Sequence, residues 1–245
     1  YAHERLGGLE PTGRARPSPW AESRESHAFP EFYAAEQGAK DKKPTPSSMQ
    51  MACTSALTYK GQALLDRDLA NLRAAADAAG VEEAFVPAIS CSDIAGNQLN
   101  KHYDSDDDFL YAIADAMNVE YKAIVDAGFL LQIDDPRLIN YYVKNPQLSV
   151  DECRAWAETQ VEAINHSLKG IPEDRVRYHT CYGINMGPRV HDMEMKDFID
   201  IVLKINAGAY SFEAANQRHE HEWRIWEDIK LADGKFIIPG VITHS

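Results

Sequence analysis

Residues 129–136 have the sequence FLLQIDDP, an apolar run that stops at two acids and a proline. A short apolar run bounded in this way is typical of a strand buried in a sheet. A helix is predicted before it, from Asp106 to Gly128, because Ser105 is a good N-cap and three acids occupy the first turn. A second helix is predicted after it, over residues 150–169. A strand between two helices indicates an α/β protein with a parallel sheet.

The same alternation of helix and strand continues along most of the chain. A helix predicted over residues 62–79 is followed by Gly80, a common C-cap residue, and further helices are predicted over residues 195–206 and 221–229. The strands predicted after residue 80 cover residues 84–89, 129–133, 175–181, 209–213 and 236–241. Right-handed crossovers would make these strands parallel members of one sheet.

Polar and reactive side chains follow the carboxyl ends of these strands, among them Ser90, Asp134, His179 and Glu213. In a (β/α)₈ barrel of the TIM type, chemistry takes place at that rim. A doubly wound sheet would show a glycine-rich first turn, and the sequence contains neither GxGxxG nor GxxxxGK[ST]. We therefore predict an α/β fold of the (β/α)₈ barrel type. The predicted strands are too few to close such a barrel.

The first 47 residues have a different character from the rest. They are rich in Pro, Gly, Arg, Glu and Ser and show weak periodicity. We expect residues 1–47 to form an irregular arm or insertion on the outside of the domain. Residues 48–59 alternate in part between apolar and polar side chains, which predicts a strand.

Composition and charge exclude several classes of partner. The chain has 245 residues and a formal net charge of −13, without a long Lys/Arg cluster. Nucleic acids and anionic membranes attract concentrated positive charge, so neither is an expected partner. No apolar run approaches the roughly 18 residues of a membrane span. The four cysteines are far apart and form no CxxC pair, which favours reduced thiols and a cytoplasmic location.

Two strand ends carry candidate metal ligands. His179 and Cys181 are two residues apart at the end of one strand, so their side chains point to the same side. Glu213 ends the next predicted strand. Imidazole, thiolate and carboxylate are all zinc ligands, and the three side chains converge if the two strands are neighbours. The residues alone also allow a buried cysteine and a surface histidine without a metal.

Four motifs, in their order and spacing, resemble the catalytic barrel of the cobalamin-independent methionine synthases and their relatives. They are FLLQIDDP at residues 129–136, HTCY at 179–182, FE at 212–213 and PGVITHS at 239–245. The resemblance extends from about Met49 to Ser245. It implies a zinc-dependent transfer of a methyl or other alkyl group to a thiol.

The resemblance also implies roles for single residues. Asp134 matches an acid that holds the amino group of the thiol substrate, and His244 matches a histidine that donates a proton to the leaving group. Tyr182 and Asn216 are expected to line the substrate pocket. The positions that match zinc ligands are His179, Cys181 and Glu213. The implied cofactor is Zn²⁺, and the implied partners are a small homocysteine-like thiol and a folate-like methyl donor.

This chain departs from the family pattern at both ends. The family's fourth zinc ligand is a cysteine on the last barrel strand, which the chain does not contain, and the two opening strands are not seen either. We therefore expect residues 1–245 to be a single catalytic barrel domain that is incomplete at both ends, with its first, second and last strands outside the chain. The alternative is that Cys91 or His219 completes the site in a rearranged fold.

The acceptor and donor remain open at this stage, as does the oligomeric state. Residues 91–96 lack the aromatic side chain that the synthases place near the pterin, and residues 181–188 are closer to short single-barrel relatives. Those relatives include the epoxide:coenzyme M transferases, so thiol alkylation by an epoxide is the second hypothesis. A barrel that binds a small ligand without turnover is a third, from another class. Arg218, His219 and Glu222 are expected to support the ligands through hydrogen bonds.

Overall fold

Helices and strands alternate through the part of the chain that the computed structural model describes, namely residues 1–38, 49–183 and 187–243. The strands are β1 (Leu6–Ala15), β2 (Met49–Tyr59), β3 (Phe85–Ile89), β4 (Gln98–Asn100), β5 (Leu130–Asp134), β6 (Val176–His179), β7 (Ala209–Glu213) and β8 (Phe236–Gly240). The α-helices are α1 (Ala2–Arg5), α2 (Arg24–Ala28), α3 (Pro30–Gly38), α4 (Gln62–Ala79), α5 (Cys91–Asn97), α6 (Asp106–Asp126), α7 (Arg137–Lys144), α8 (Val150–Ser167) and α9 (Ile199–Val202). Short 3₁₀ helices span Glu173–Arg175, Met195–Asp197 and Glu220–Glu227.

The central sheet has the strand order β3-β5-β6-β7-β8. Every neighbouring pair in it is parallel. The five predicted strands are therefore present, in the predicted orientation, and the α/β fold with a parallel sheet is confirmed. Within the described residues the sheet is not shown closed into a barrel.

Helices α6 and α8 provide much of the apolar layer beside this sheet. Ile113, Met117 and Ile124 of α6 are fully buried, and Val161 and Ile164 of α8 lie in the same core. Their spacing of three, four and seven residues places them on one face of each helix. Burying a side chain of this size stabilises the fold by roughly 1.5–3 kcal/mol. This packing holds the strands, and hence their carboxyl ends, in a defined arrangement.

The N-terminal region is more regular than the sequence predicted. In place of an irregular arm, β1 pairs with β2 in a second sheet of order β1-β2-β4, and Leu6 and Leu9 are buried. The prediction was wrong for residues 6–15, because the register shifts between Gly7 and Leu9, where Gly8 has a φ of 89°. A bulge of this kind breaks the two-residue alternation that reveals a strand. The rest of the predicted arm lies outside the described residues.

Two predicted helices differ in detail from the structure. Residues 195–206 form a 3₁₀ turn followed by the short helix α9, because Phe198 between them has a non-helical φ of −139°. The buried Phe198 side chain packs into the core at this break. The predicted helix over residues 221–229 is a 3₁₀ helix that begins at Glu220. None of the helices in the described ranges is long and apolar enough to cross a membrane.

Candidate functional site

Three of the predicted site residues, Asp134, His179 and Glu213, lie at the carboxyl edge of the central sheet. Asp134, the last residue of β5, is opposite His179, the last residue of β6. His179 is in turn opposite Ser211 of β7, and Glu213 ends that strand two residues later. Residues two apart on a strand share a face. His179 and Glu213 therefore lie on adjacent strands at the same edge, as the sequence predicted.

The imidazole of His179 is half-buried beside Ser211. Its Nδ1 atom is 3.2 Å from Ser211 Oγ. Burial lowers the pKa of His179, and the nearby Asp134 carboxylate opposes this effect only in part. The ring is therefore neutral at pH 7, the form in which imidazole binds metals.

The carboxylate of Glu213 accepts two hydrogen bonds from the loops that follow β6 and β7. Its Oε1 accepts from the main-chain amide of Tyr182 at 3.2 Å, and its Oε2 accepts from Asn216 Nδ2 at 3.3 Å. These bonds fix the orientation of the carboxylate. Asn216, predicted to line a substrate pocket, is thus in direct contact with Glu213.

Cys181 lies two residues beyond the end of β6 and is partly exposed. Burial raises the pKa of its thiol, a hydrogen bond with the Gly183 main chain lowers it, and the charges of Glu213 and Asp134 raise it further. Both carboxylates are therefore electrostatic neighbours of the sulfur. A cation bound here would reverse this balance, since metal coordination favours the thiolate.

A cavity of about 100 Å³ opens at this edge. Its lining includes His179, Glu213 and Asn216, together with Thr243 of the segment after β8. Cys181 is not among the residues that line it. Within the described residues, no three His, Cys, Asp or Glu side chains are grouped closely enough to hold a metal ion.

Tyr182 does not lie where the sequence predicted. Its side chain is buried and stacks on the imidazole of His219, with the two ring centroids 3.5 Å apart. It is not one of the residues that line the cavity. The contact of Tyr182 with the site runs through its main-chain amide and Glu213.

The two acids after β5 have separate surroundings. Asp134 Oδ1 accepts a hydrogen bond from Gln132 Nε2 at 2.7 Å. Asp135 is fully buried and caps α7, where its Oδ1 accepts from the amides of Arg137 and Leu138. Burial raises the pKa of Asp135 to about 6. Asp135 is structural in this position, which leaves Asp134 as the acid at the edge of the sheet.

The structure also tests the other sequence candidates. Cys91 is fully buried at the start of α5, where burial raises the pKa of its thiol to about 12, and both ring nitrogens of His219 are next to carboxylates. Neither residue lines the cavity beside His179. His244, the predicted proton donor, lies outside the described residues.

Sequence reasoning missed several buried polar residues beside the site. Arg189 and Asn140 bind the loop after β6, and Glu25 of α2 accepts hydrogen bonds of 2.8 Å from the amides of Val190 and His191. Glu25 has no exposed surface. These contacts join segments that are far apart in the chain, so no local pattern signals them.

The donors at this edge fit zinc chemically. Imidazole, thiolate and carboxylate form one of the usual ligand sets of the ion, and His179 and Glu213 already face a common cavity. Strands β6 and β7 end at His179 and Glu213, and the loop after β6 supplies Cys181. The fold and this edge define the class of molecule: an α/β protein with a parallel sheet and its polar cluster at the carboxyl ends of the strands.

Comparison with known proteins agrees with the motifs. A stretch of 91 residues, 37% of the chain, is 34% identical to methionine synthase of Sulfurisphaera tokodaii. A stretch of 114 residues, 46% of the chain, is 33% identical to methionine synthase of Saccharolobus solfataricus. These matches cover 23% and 30% of the two relatives. No family model matches the chain.

A solved structure shares the fold over nearly the whole chain. It is a B12-independent methionine synthase from Shewanella sp. W3-18-1 in complex with selenomethionine, with a TM-score of 0.66 at 16% identity. The similarity covers 97% of this chain and 59% of that one. The resemblance drawn from the motifs is confirmed to this extent: part of the chain is similar in sequence to methionine synthases, and the chain shares the fold of a B12-independent methionine synthase.

Proposed function

We propose that this chain belongs to a zinc-dependent enzyme that moves a methyl group to a small thiol, as in methionine synthesis. The acceptor is homocysteine-like and the donor is folate-like. The observation that carries the proposal is the placement of His179 and Glu213 at the same sheet edge, with Cys181 in the loop directly after His179. The similarity to methionine synthases supports the same reaction.

The proposal includes the full barrel. Five parallel strands follow one another in chain order, which is the arrangement of consecutive strands in a (β/α)₈ barrel. The structural similarity to the synthase covers 97% of this chain and 59% of the synthase. We infer that residues 1–245 belong to one catalytic barrel domain.

Each residue then has a defined task. His179, Cys181 and Glu213 hold the zinc ion, which when bound makes an acceptor thiol nucleophilic at neutral pH. Asp134 binds the ammonium group of the acceptor through a charge-assisted hydrogen bond. Asn216 orients the Glu213 carboxylate. The sulfur gains the methyl group as the bond from methyl to donor breaks, and His244 supplies the proton to the leaving group.

The charge at the edge separates this proposal from its nearest rival. A carboxylate at the position of Asp134 attracts an ammonium group and repels the sulfonate of coenzyme M. An amino-bearing thiol therefore suits this edge better than coenzyme M does.

A product assay tests the proposal. The full-length protein is incubated with zinc, methyltetrahydrofolate and homocysteine, and methionine is measured by mass spectrometry. A parallel reaction contains coenzyme M and a short epoxide. Methionine formation that stops in Cys181→Ala supports the proposal. Alkylated coenzyme M without methionine would establish the epoxide reaction instead, and no product from either pair would favour a binding protein.

A further inference from the structure

One pair of buried side chains holds two successive carbonyls in the loop after β6. Asn140 Nδ2 donates to the carbonyl of Cys181 at 3.1 Å, and Arg189 Nη1 donates to the carbonyl of Tyr182. Arg189 Nη2 also donates to Asn140 Oδ1 at 3.1 Å. Asn140 is 1% exposed and Arg189 is 6% exposed. Helix α7 therefore fixes the carbonyl of Cys181, and the loop that carries Arg189 fixes the carbonyl of Tyr182.

The ring of Tyr182 is held by a second contact. The imidazole of His219 lies 3.5 Å from it, centroid to centroid, with 7° between the planes. His219 Nε2 is 3.1 Å from Asp192 Oδ2, and its Nδ1 is 3.1 Å from Glu222 Oε2. Burial by itself would lower the pKa of His219, but these two carboxylates raise it above its ordinary value. A charged imidazole with a donor at each nitrogen fits this position.

Asp192 and Glu222 join the two contacts into one network. Asp192 Oδ1 accepts from Arg189, and its Oδ2 accepts from Arg218 Nε at 2.8 Å. Glu222 Oε1 accepts from the main-chain amide of Met195 at 2.8 Å. Buried charges are costly unless they are paired and hydrogen-bonded. Here the charges are paired, although Arg189 Nε has no hydrogen-bond partner among the described residues, and the linked contacts restrain the loop.

Tyr182 connects this network to the sheet edge. Its carbonyl and its ring are held by Arg189 and His219, and its amide donates to Glu213 Oε1 at 3.2 Å. Cys181 is the preceding residue. Any displacement of Tyr182 therefore moves Cys181 relative to Glu213. Protein groups that hold metal ligands in place set metal affinity, although they do not touch the metal.

We infer that Arg189 and His219 are positioning residues, which set the separation of Cys181 from Glu213 through Tyr182. The inference rests on the proposed function, in which Cys181 and Glu213 bind zinc. Arg189 suits this task because its planar guanidinium offers several donors in fixed directions. A lysine at the same position keeps the charge and loses this fork.

The test uses Arg189→Met in the full-length protein, with Arg154→Met as the matched control. Arg154 of α8 makes bonds of the same kind, to the carbonyl of Asp197 and the carboxylate of Asp200, and has no hydrogen bond to Asn140, Tyr182 or Asp192. Zinc affinity is measured by competition with a chelator. The geometry of the bound metal is monitored by the visible absorption spectrum of the cobalt(II)-loaded protein. We expect Arg189→Met to weaken zinc binding by roughly 10- to 100-fold and to change the cobalt spectrum. Arg154→Met should change neither.

Arg189→Lys provides a milder variant if Arg189→Met does not fold. We expect its zinc affinity to fall between those of the native protein and Arg189→Met, because the charge remains and the fixed directions of the guanidinium donors are lost. Unfolding in urea is recorded for each variant. Equal zinc affinities in Arg189→Lys, Arg154→Met and the native protein would overturn the positioning role.

A second readout does not depend on zinc. Cys181 is the partly exposed cysteine, and Cys53, Cys91 and Cys153 are buried. Its alkylation rate with iodoacetamide, measured in metal-free protein by mass spectrometry, reports how firmly the loop is held. We expect a several-fold faster rate in Arg189→Met than in Arg154→Met. If the native protein binds no zinc, the proposed function fails, and the alkylation rate alone tests the positioning role of Arg189. Equal alkylation rates in Arg189→Met and Arg154→Met would then refute that role.

Discussion

The main-chain amide of Tyr182 donates a hydrogen bond of 3.2 Å to the carboxylate of Glu213. The two residues are separated by 31 positions in the chain, and the bond ties the loop after β6 to the end of β7. Because Cys181 precedes Tyr182, this bond also brings the thiol-bearing segment to the strand that carries the carboxylate. The three proposed zinc ligands thereby belong to one local unit of the fold.

Replacing Asp134 by Asn should affect acceptors that carry an amino group. The variant keeps the size of the side chain and the oxygen that accepts from Gln132, but it removes the negative charge. Loss of a charge-assisted hydrogen bond costs about 1.5–3 kcal/mol, so we expect KM for homocysteine to rise by about 10- to 100-fold.

The comparison uses a thiol of the same length without an amino group, and the exposed Asp77→Asn as the control variant. Steady-state methylation of both thiols is measured for each protein. The role of Asp134 in binding the ammonium group predicts a change for homocysteine alone. An equal change for both thiols would mean that Asp134 acts on the site as a whole.

Glu120 should make the stability of the protein depend on pH. Its carboxylate is 2% exposed, accepts from Tyr59 Oη at 2.6 Å and lies 3.8 Å from Arg5 Nε, where α1 and β2 meet α6. Burial raises its pKa to about 7. Between pH 4.5 and 7 the folded protein therefore keeps a proton that the unfolded chain releases. Stability from this group is complete below pH 4.5 and is lost as pH rises through 7.

The variant Glu120→Gln isolates this effect, because the amide does not ionise. A shift of this size corresponds to about 3 kcal/mol at most, so the free energy of unfolding should fall less steeply from pH 5 to pH 8 in the variant. Urea unfolding at several pH values measures the difference. The exposed Glu82→Gln should behave like the native protein, and parallel pH curves for Glu120→Gln and native protein would rule out the raised pKa.

Gly8 and Gly13 form a matched pair in β1. Both have positive φ, 89° and 73°, which costs a residue with a side chain about 1–2 kcal/mol. A Cβ at Gly8 would lie 2.7 Å from the carbonyl oxygen of Ser55, whereas a Cβ at Gly13 meets nothing within 4 Å. We expect Gly8→Ala to destabilise the protein by roughly 1–3 kcal/mol more than Gly13→Ala.

Thermal unfolding of the two alanine variants provides the measurement. The larger loss at Gly8 would support the bulge that allows β1 to pair with β2. Equal losses would show that the backbone of β2 is not close to Gly8, and the N-terminal sheet would then need a different register.

The central sheet was predictable because its strands are short apolar runs that end at polar residues. The runs before Asp134 and Glu213 show this pattern, and helices with clear apolar periodicity separate them. Strand β1 was not predictable, because the bulge at Gly8 interrupts its alternation. Helix α7 was missed since its eight residues are too few to establish a period.

The candidate site, like the fold, was predictable from the sequence only in part. Sequence spacing predicted His179 and Glu213 at one edge, because adjacent parallel strands end there. Cys181 lies in the loop after β6 and does not line the cavity, so its place beside these two residues stays a prediction. The burial of Tyr182 depends on His219, which is far along the chain, and the role of Arg189 depends on Asn140. Contacts between distant loops leave no trace in local composition, so they become visible only in the fold.

The zinc content of the full-length protein tests the central claim most directly. Elemental analysis is applied to the native protein, to Cys181→Ala, and to Cys153→Ala as the control for loss of a buried thiol in α8. We predict one zinc ion per chain in the native protein and in Cys153→Ala, and a clear loss of zinc in Cys181→Ala. Absence of zinc from the native protein, or full zinc content in Cys181→Ala, would contradict the proposed site.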